Sequence, residues 1–159
     1  MYDAMHGMVR RLRPIALDRL GLRDALRELV SAQNQLHPKL SIDLRLEGDL
    51  DGLGEAINIT SYRTVQECLT NIVRHADATR AEVFVRHLNG TGEDSLQVIV
   101  RDNGKGMTGG RPLEEHYGLL GVRERVQALG GKCKLVTEAG NGLSVEVSLP
   151  LPASARVAA

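Results

Sequence analysis

The chain has few aromatic residues, and its charges of opposite sign cancel. Phe84 and three tyrosines are the only aromatic residues among 159, and tryptophan is absent. The core must therefore be aliphatic, and aromatic platforms for stacking single-stranded nucleic acid are not expected. Lys and Arg together number 20, as do Asp and Glu, so the formal net charge is zero. This balance argues against a general nucleic-acid-binding protein, which needs a basic surplus.

Cysteines and long apolar runs are also scarce. Cys68 and Cys133 lie far apart and match no metal-binding spacing, so the sequence predicts a reducing compartment with neither a disulfide nor a metal cage. No apolar run is long enough to cross a bilayer, and the N-terminus lacks the apolar segment of a secretory signal. With 42% apolar and 25% charged residues, the composition is typical of a soluble globular domain.

Hydrophobic spacing predicts helices mixed with strands that are mainly joined by hairpins. This pattern favours an α+β fold, in the form of a two-layer sandwich with one mixed, mainly antiparallel sheet and helices on one face. The closing hairpin argues against an all-parallel, doubly wound sheet. The predicted helices are 2–12, 22–35, 55–76 and 119–129, and the predicted strands are 41–47, 81–88, 95–101, 132–138 and 143–149.

The helix predicted over 55–76 carries Glu67, Asn71 and His75 at intervals of four residues, so the three share one face. The Asn71 amide oxygen is a suitable magnesium ligand, with nucleotide phosphates and water as the others. Glu67, one turn earlier, is placed to polarise a nucleophile or a water. The alternative is an ordinary polar helix face. For Glu67 and Asn71 taken alone, that alternative is the better interpretation.

A loop that begins with Asp102 follows a strand. The carboxylate is an acceptor, and the exocyclic amine of adenine is a donor, so this pairing would select adenine over guanine. Gly104 and Gly106 allow the backbone to turn sharply and to approach a flat ring. A plain Asp-Asn-Gly turn is the alternative, although the added Gly106 and Met107 make it less satisfactory.

Gly118 and Gly121 flank the start of the helix predicted over 119–129. The free N–H groups and the dipole at a helix N-terminus favour phosphate, by about 0.3–1 kcal/mol per charge at exposed sites. A glycine hinge before a packing helix is the alternative. The segment is not a P-loop, because the required G-x-x-x-x-G-K-[ST] pattern does not occur anywhere in the chain.

Taken together, these segments resemble the ATP-binding domain of bacterial two-component sensor histidine kinases, and most of all the nitrate-sensor and sugar-phosphate-sensor subfamily. The resemblance covers nearly the whole chain. Its parts are Thr64–Ala76 as the N box, Asp102–Met107 as the G1 box, Tyr117–Val126 as the G2 box, Leu12–Pro14 with Leu20–Leu22 as the leading segment, and Gly140–Gly142 with Leu149–Pro150 as the closing hairpin.

The resemblance implies the sandwich fold shared with gyrase, heat-shock-90 and mismatch-repair ATPases, known as the Bergerat fold. It implies ATP and Mg²⁺ as cofactors, with Asn71 holding the metal, Asp102 the adenine, and Glu67 assisting γ-phosphoryl transfer to a histidine. Residues 108–117 would form a short lid. The implied nucleotide-binding residues are Asn71, His75, Asp102, Gly104, Gly106, Met107, Gly118, Leu119 and Gly121.

The phosphoacceptor histidine of this family lies on a dimerising hairpin within an acidic motif. None of His6, His37, His75 and His87 lies in such a motif. We therefore expect a monomeric fragment of a homodimeric kinase that does not phosphorylate itself. The alternative is a non-catalytic, nucleotide-gated interaction module, such as a pseudokinase or an anti-sigma-type regulator.

The expected organisation is the end of a dimerisation helix and a linker over 1–20, the ATP-binding domain over 21–150, and a loose tail over 151–159. The expected partners are the phosphoacceptor domain of the parent kinase and a response regulator, with no nucleic acid. A cytoplasmic location is expected, with inner-membrane anchoring an open option for the parent. Two positions depart from the family pattern, Leu143 where threonine is frequent and His116 where glycine is frequent.

Overall fold

The computed structural model of the chain describes residues 14–90, 93–106, 118–137 and 141–151. Within these residues, a π-helical turn, Ile72–Ala76, extends the second of three α-helices. The helices are α1 (Ile15–Leu36), α2 (Glu55–Asn71) and α3 (Leu119–Ala128). The strands are β1 (Ser41–Glu47), β2 (Arg80–Leu88), β3 (Ser95–Asp102), β4 (Lys132–Thr137) and β5 (Leu143–Pro150).

Several predictions from the sequence fall outside the described residues. They are the helix over 2–12, Met107, the lid over 108–117 and the tail after Leu151. In the described part of the chain, no helix combines the length and the apolar character that crossing a membrane requires.

The five strands form one sheet in the order β1-β2-β3-β5-β4. The β1 strand runs parallel to β2, and every other neighbouring pair is antiparallel. The mixed, mainly antiparallel sheet predicted from the hairpin pattern is therefore confirmed. The β3 and β5 strands are neighbours, with Val100 opposite Val145. The last residues of β3 therefore lie beside the first residues of β5.

Strand side chains alternate between a buried and a solvent-facing side of the sheet, as the period of two requires. All three helices contact the sheet, and the buried strand residues form a single core with them. On the other face, Arg86 lies over the Phe84 ring, and Arg101 pairs with Glu146 at 3.7 Å. The buried strand residues include Ala81, Val83, Val85, Leu96, Val98, Val100, Val145, Val147 and Leu149.

The first described helix is longer than the sequence predicted. It begins at Ile15 rather than Leu22, and it is broken at Gly21, where φ is 78° and ψ is 175°. The turn before the break is held by the buried Leu17, whose N–H donates to the Pro14 carbonyl at 3.1 Å. Glycine adopts a positive φ without steric cost, so the chain can change direction at Gly21 and resume the helix.

The α2 helix is shorter than predicted, because the last five residues of the predicted helix form the π turn. The turn is followed by Asp77 in the left-handed conformation, with φ of 50°. The Ala76 carbonyl at its end accepts a hydrogen bond from the Lys105 N–H at 2.9 Å. The loop after β3 is thereby attached to the end of the α2 segment.

Candidate nucleotide-binding site

A cavity of about 450 Å³, counting space open to solvent, lies between the end of α2 and the meeting ends of β3 and β5. It is lined by Cys68, Asn71, Ile72, His75, Ala76, Val100, Asp102, Gly106, Leu119, Leu143 and Val145.

The helix side of the cavity carries Cys68, Asn71, Ile72 and His75, whose spacing of three and four residues places them along one side. Asn71 is half-buried, and its amide nitrogen makes no hydrogen bond to any described residue. His75 is exposed. Burial raises the pKa of the Cys68 thiol far above its ordinary value, so Cys68 contributes a neutral wall.

The carboxylate of Asp102 marks the sheet side of the cavity. Asp102 is the last residue of β3, paired with Ala81, rather than the first residue after the strand as predicted. Its Oδ1 accepts a hydrogen bond from the Gly104 N–H at 2.8 Å. Burial raises the pKa of the Asp102 carboxyl, and hydrogen bonds from the Gly104 and Leu143 backbone oppose that rise. The carboxylate is thus held in place by the main chain.

Two glycines allow the backbone to approach this site closely. A Cβ on Gly104 would overlap the Ala76 carbonyl, and a Cβ on Gly142 would overlap the Asp102 carbonyl. Gly142 also has a φ of 80°, a conformation that side chains disfavour. The absence of side chains at these two positions therefore brings the α2 segment and β5 against the chain around Asp102.

The α3 helix begins beside the cavity. Gly118 is its N-cap, in the left-handed conformation with φ of 76°, and no side chain caps the helix. Leu119 is buried and lines the cavity. The first-turn N–H groups of a helix have no intrahelical acceptors, so this end can accept an anion.

The structure brings together part of the residue set predicted from the sequence. Five predicted residues line the cavity, and Gly104, Gly118 and Gly121 lie in the two segments that border it. Glu67 is half-buried one turn before Asn71 but is not among the described residues that line the cavity. The five lining residues are Asn71, His75, Asp102, Gly106 and Leu119.

The apolar wall of the cavity was not predicted from the sequence. Two signals were available for part of it. Cys68 and Ile72 lie three residues before Asn71 and His75 respectively, and Val100 lies two residues before Asp102 on the same strand face. Val145 could not be placed opposite Val100 without the register of β3 and β5. The unassigned residues are Cys68, Ile72, Ala76, Val100, Leu143 and Val145.

Asp102→Asn is expected to stabilise the nucleotide-free domain at neutral pH. Because the folded-state pKa of Asp102 is raised, its ionised form opposes folding above that pKa, and this cost disappears as the pH falls through it. Asparagine keeps an oxygen acceptor without the charge. The carboxyl is partly solvated, so we expect a rise in Tm of only about 2 °C at pH 7 that shrinks in acid.

Thermal unfolding between pH 3 and pH 7 measures this effect. The control is Asp51→Asn, which alters an exposed aspartate in the loop before α2 and should leave Tm unchanged. A lower Tm for Asp102→Asn than for the wild type at pH 7 would mean that the carboxylate supports the fold of the empty domain.

The chain is similar to curated sensor and signal transduction histidine kinases. Over 149 residues it is 29% identical to the sensor histidine kinase LiaS of Bacillus subtilis, covering 94% of this chain and 39% of that protein. Over 151 residues it is 36% identical to the signal transduction histidine-protein kinase/phosphatase UhpB of Salmonella typhimurium, covering 94% of this chain and 29% of that protein. The chain thus spans about a third of the length of these curated relatives.

Solved structures give the same result. The fold is similar to the histidine kinase domain of a blue-light activated histidine kinase from Erythrobacter litoralis, with a TM-score of 0.66, 26% identity, and coverage of 86% of this chain and 64% of that chain. A family model described as histidine kinase-, DNA gyrase B- and HSP90-like ATPase matches residues 56–153, which confirms the resemblance predicted from the sequence. The chain belongs to this family of ATPases.

Proposed function

We propose that this chain is the ATP-binding catalytic domain of a sensor histidine kinase. It would donate the γ-phosphoryl group of ATP to a histidine on a dimerisation domain, for onward transfer to a response regulator. One observation carries the proposal: a single cavity combines a main-chain-held carboxylate, Asp102, with the uncommitted amide of Asn71 and a helix start without a side-chain cap at Gly118.

Asp102 would bind the adenine. Its carboxylate accepts hydrogen bonds and offers none, which suits the exocyclic amine of adenine and not the carbonyl that guanine carries there. Val100, Leu143 and Val145 supply an apolar surface beside it for the flat ring. Leu143 contributes its backbone to holding Asp102, and its apolar side chain offers the base no polar contact of the kind that the threonine frequent at this position would make.

Asn71 would hold a magnesium ion. The residues fit this role, because Asn71 lines the cavity, its amide nitrogen makes no hydrogen bond to the described residues, and its amide oxygen is the kind of ligand that magnesium prefers. When bound, magnesium would neutralise charge on the nucleotide phosphates. Asn71 would orient the nucleotide, and phosphates and water would complete the coordination.

The phosphate side would be formed by Gly118–Gly121 and His75. The exposed position of His75 on the cavity wall suits contact with a charged, partly solvated group. The uncapped start of α3 offers N–H groups that anions favour. Gly104 and Gly106 would complete the nucleotide-binding loop after Asp102. Gly106 lines the cavity, and the lack of a side chain on Gly104 lets the loop lie against Ala76.

Glu67 would act on the incoming histidine rather than on ATP. It lies on α2 one turn before Asn71 and is not among the described residues of the cavity wall. A carboxylate beside a nucleotide site can orient an imidazole or accept its proton as the phosphoryl group is transferred. This placement suits a substrate that belongs to another domain and approaches from outside the cavity.

The organisation proposed for the parent protein follows the same lines. We place the boundary at the helix break at Gly21, with 1–20 as the end of a dimerisation helix and linker and 21–150 as the catalytic domain. The buried Leu17 packs the end of the first segment against the core of the second. We place this domain in the cytoplasm and assign the dimerisation domain of a homodimeric parent and a response regulator as its partners. The domain by itself would be a monomer.

Phosphoryl transfer between separated domains tests the proposal. The chain is mixed with the dimerising hairpin of its parent and radiolabelled MgATP, and the label is followed in both proteins. We expect label on the hairpin histidine and none on the chain incubated alone. Label on the chain alone at any of its histidines would contradict the fragment interpretation. ATP binding without transfer would instead favour the non-catalytic module.

A further inference from the structure

Asn103, the residue after Asp102, does not line the cavity, yet its side chain joins two distant segments. Its Oδ1 accepts hydrogen bonds from the N–H groups of Thr79 and Arg80, each at 2.9 Å. Its Nδ2 donates to the Thr79 hydroxyl, also at 2.9 Å. Its backbone N–H donates to the Arg80 carbonyl at 3.1 Å. One exposed side chain thus makes three hydrogen bonds to the start of β2.

The segment that Asn103 holds is itself fixed on both sides. The Thr79 carbonyl accepts a hydrogen bond from Ser41 at the start of β1, at 2.9 Å. On the other side, the π turn and the left-handed Asp77 lie just before Thr79, with only Ala78 between Asp77 and Thr79. Asn103 therefore ties the loop after β3 to a point where β1, β2 and the end of the α2 segment converge.

This anchoring acts on Asp102 through the main chain. Ala81 pairs with Asp102 on the β2 side, and Gly104 donates to the Asp102 carboxylate from the next turn of the loop. Lys105 then bonds to Ala76. Without the three side-chain bonds of Asn103, the loop would keep its strand pairing and the Gly104 and Lys105 bonds but lose the side-chain contacts that tie it to Thr79 and Arg80.

We infer that Asn103 is a positioning residue for nucleotide selection. It sets the position of the Asp102 carboxylate by anchoring the loop to Thr79 and Arg80, and it does so without touching the nucleotide. The amide suits this role because its oxygen accepts two backbone N–H groups while its nitrogen donates to a hydroxyl. The inference rests on the proposed role of Asp102 in binding adenine.

The test measures ATP and GTP affinity by calorimetry with magnesium. Asn103→Ala is expected to reduce the preference for ATP over GTP about tenfold, the effect of losing one to two net hydrogen bonds. Asn103→Asp keeps the oxygen acceptor and the shape, so it should restore most of the preference. Asn89→Ala removes an exposed asparagine at the opposite end of β2 and should change nothing.

A loss of affinity that is equal for ATP and GTP in Asn103→Ala, or no loss at all, would overturn the inference. If Asn103→Ala does not fold, Thr79→Val removes only the hydroxyl contact, and a fall in selectivity of about twofold is then expected. An unchanged selectivity in a folded Thr79→Val would count equally against it. Wild-type protein that binds neither nucleotide would instead contradict the proposed function itself. The Asp102→Asn variant serves as the reference for the loss of ATP-over-GTP selectivity.

Discussion

Asn71→Ala should reduce phosphoryl transfer to the hairpin histidine at least about 100-fold, because the side chain that would hold magnesium is removed. The same variant should bind ATP with an affinity that no longer depends on magnesium. In EDTA its affinity should equal that of the wild type, since the amide nitrogen of Asn71 holds no described residue in place and its loss should not disturb the cavity. Calorimetry with and without EDTA, beside the radiolabel assay, measures both effects.

The Glu67→Gln variant should differ from Asn71→Ala, because it should affect phosphoryl transfer but not ATP binding. Because Glu67 would act on the histidine, its replacement should lower the transfer rate by about 100-fold or more and leave ATP affinity nearly unchanged. Asn71→Asp keeps an oxygen ligand and should retain magnesium dependence, and Glu28→Gln, an exposed change on α1, should transfer at the wild-type rate. Wild-type transfer by Glu67→Gln would make Glu67 a structural helix residue.

Gly142→Ala should both destabilise the domain and impair ATP binding. A methyl group at this position would overlap the Asp102 carbonyl and lie 3.0 Å from the Asp102 Oδ1, and the backbone has a φ of 80°. Either β5 or the end of β3 must move, which displaces the proposed adenine contact. We expect a loss of about 2–4 kcal/mol in the free energy of unfolding, and ATP binding weakened about tenfold or more.

Gly52→Ala is the matched control, because Gly52 also has a positive φ, 69°, but has nothing within 4 Å of the added methyl group. It should cost only the backbone strain of about 1–2 kcal/mol and leave ATP affinity unchanged. Denaturant unfolding and calorimetry on both variants separate strain from overlap. Equal destabilisation and unchanged ATP affinity in both would show that β5 adapts to the methyl group without moving Asp102.

Much of the fold could be predicted because its signals are local. Alternation of apolar residues identified all five described strands, and the closing hairpin indicated antiparallel pairing. The departures have long-range causes. The π turn at Ile72–Ala76 ends on the Ala76 carbonyl, which accepts a hydrogen bond from Lys105. Lys105 lies after β3, so the residue spacing within α2 gives no sign of this contact. The helix turn before Gly21 depends on burial of Leu17 against the core.

The candidate site also combines features that local sequence patterns predict with features that depend on long-range contacts. The spacing of Asn71 and His75 showed that they share a face, and the structure places both at the cavity. The partners of Asn103 lie 23 and 24 residues earlier in the chain, and no local pattern connects them. The overlap at Gly142 is equally invisible, because it depends on the register of β5 against β3. Part of the cavity lining could therefore be chosen from the sequence, but the contacts that position it could not.

Calorimetric titration of the wild-type chain tests the central claim most directly. The claim is that this cavity binds magnesium ATP and reads adenine through Asp102. We predict binding heat with ATP that weakens in EDTA, and weaker binding of GTP, with that preference reduced in Asp102→Asn. No heat and no thermal shift at millimolar ATP, or a preference for ATP over GTP that Asp102→Asn leaves unchanged, would contradict it.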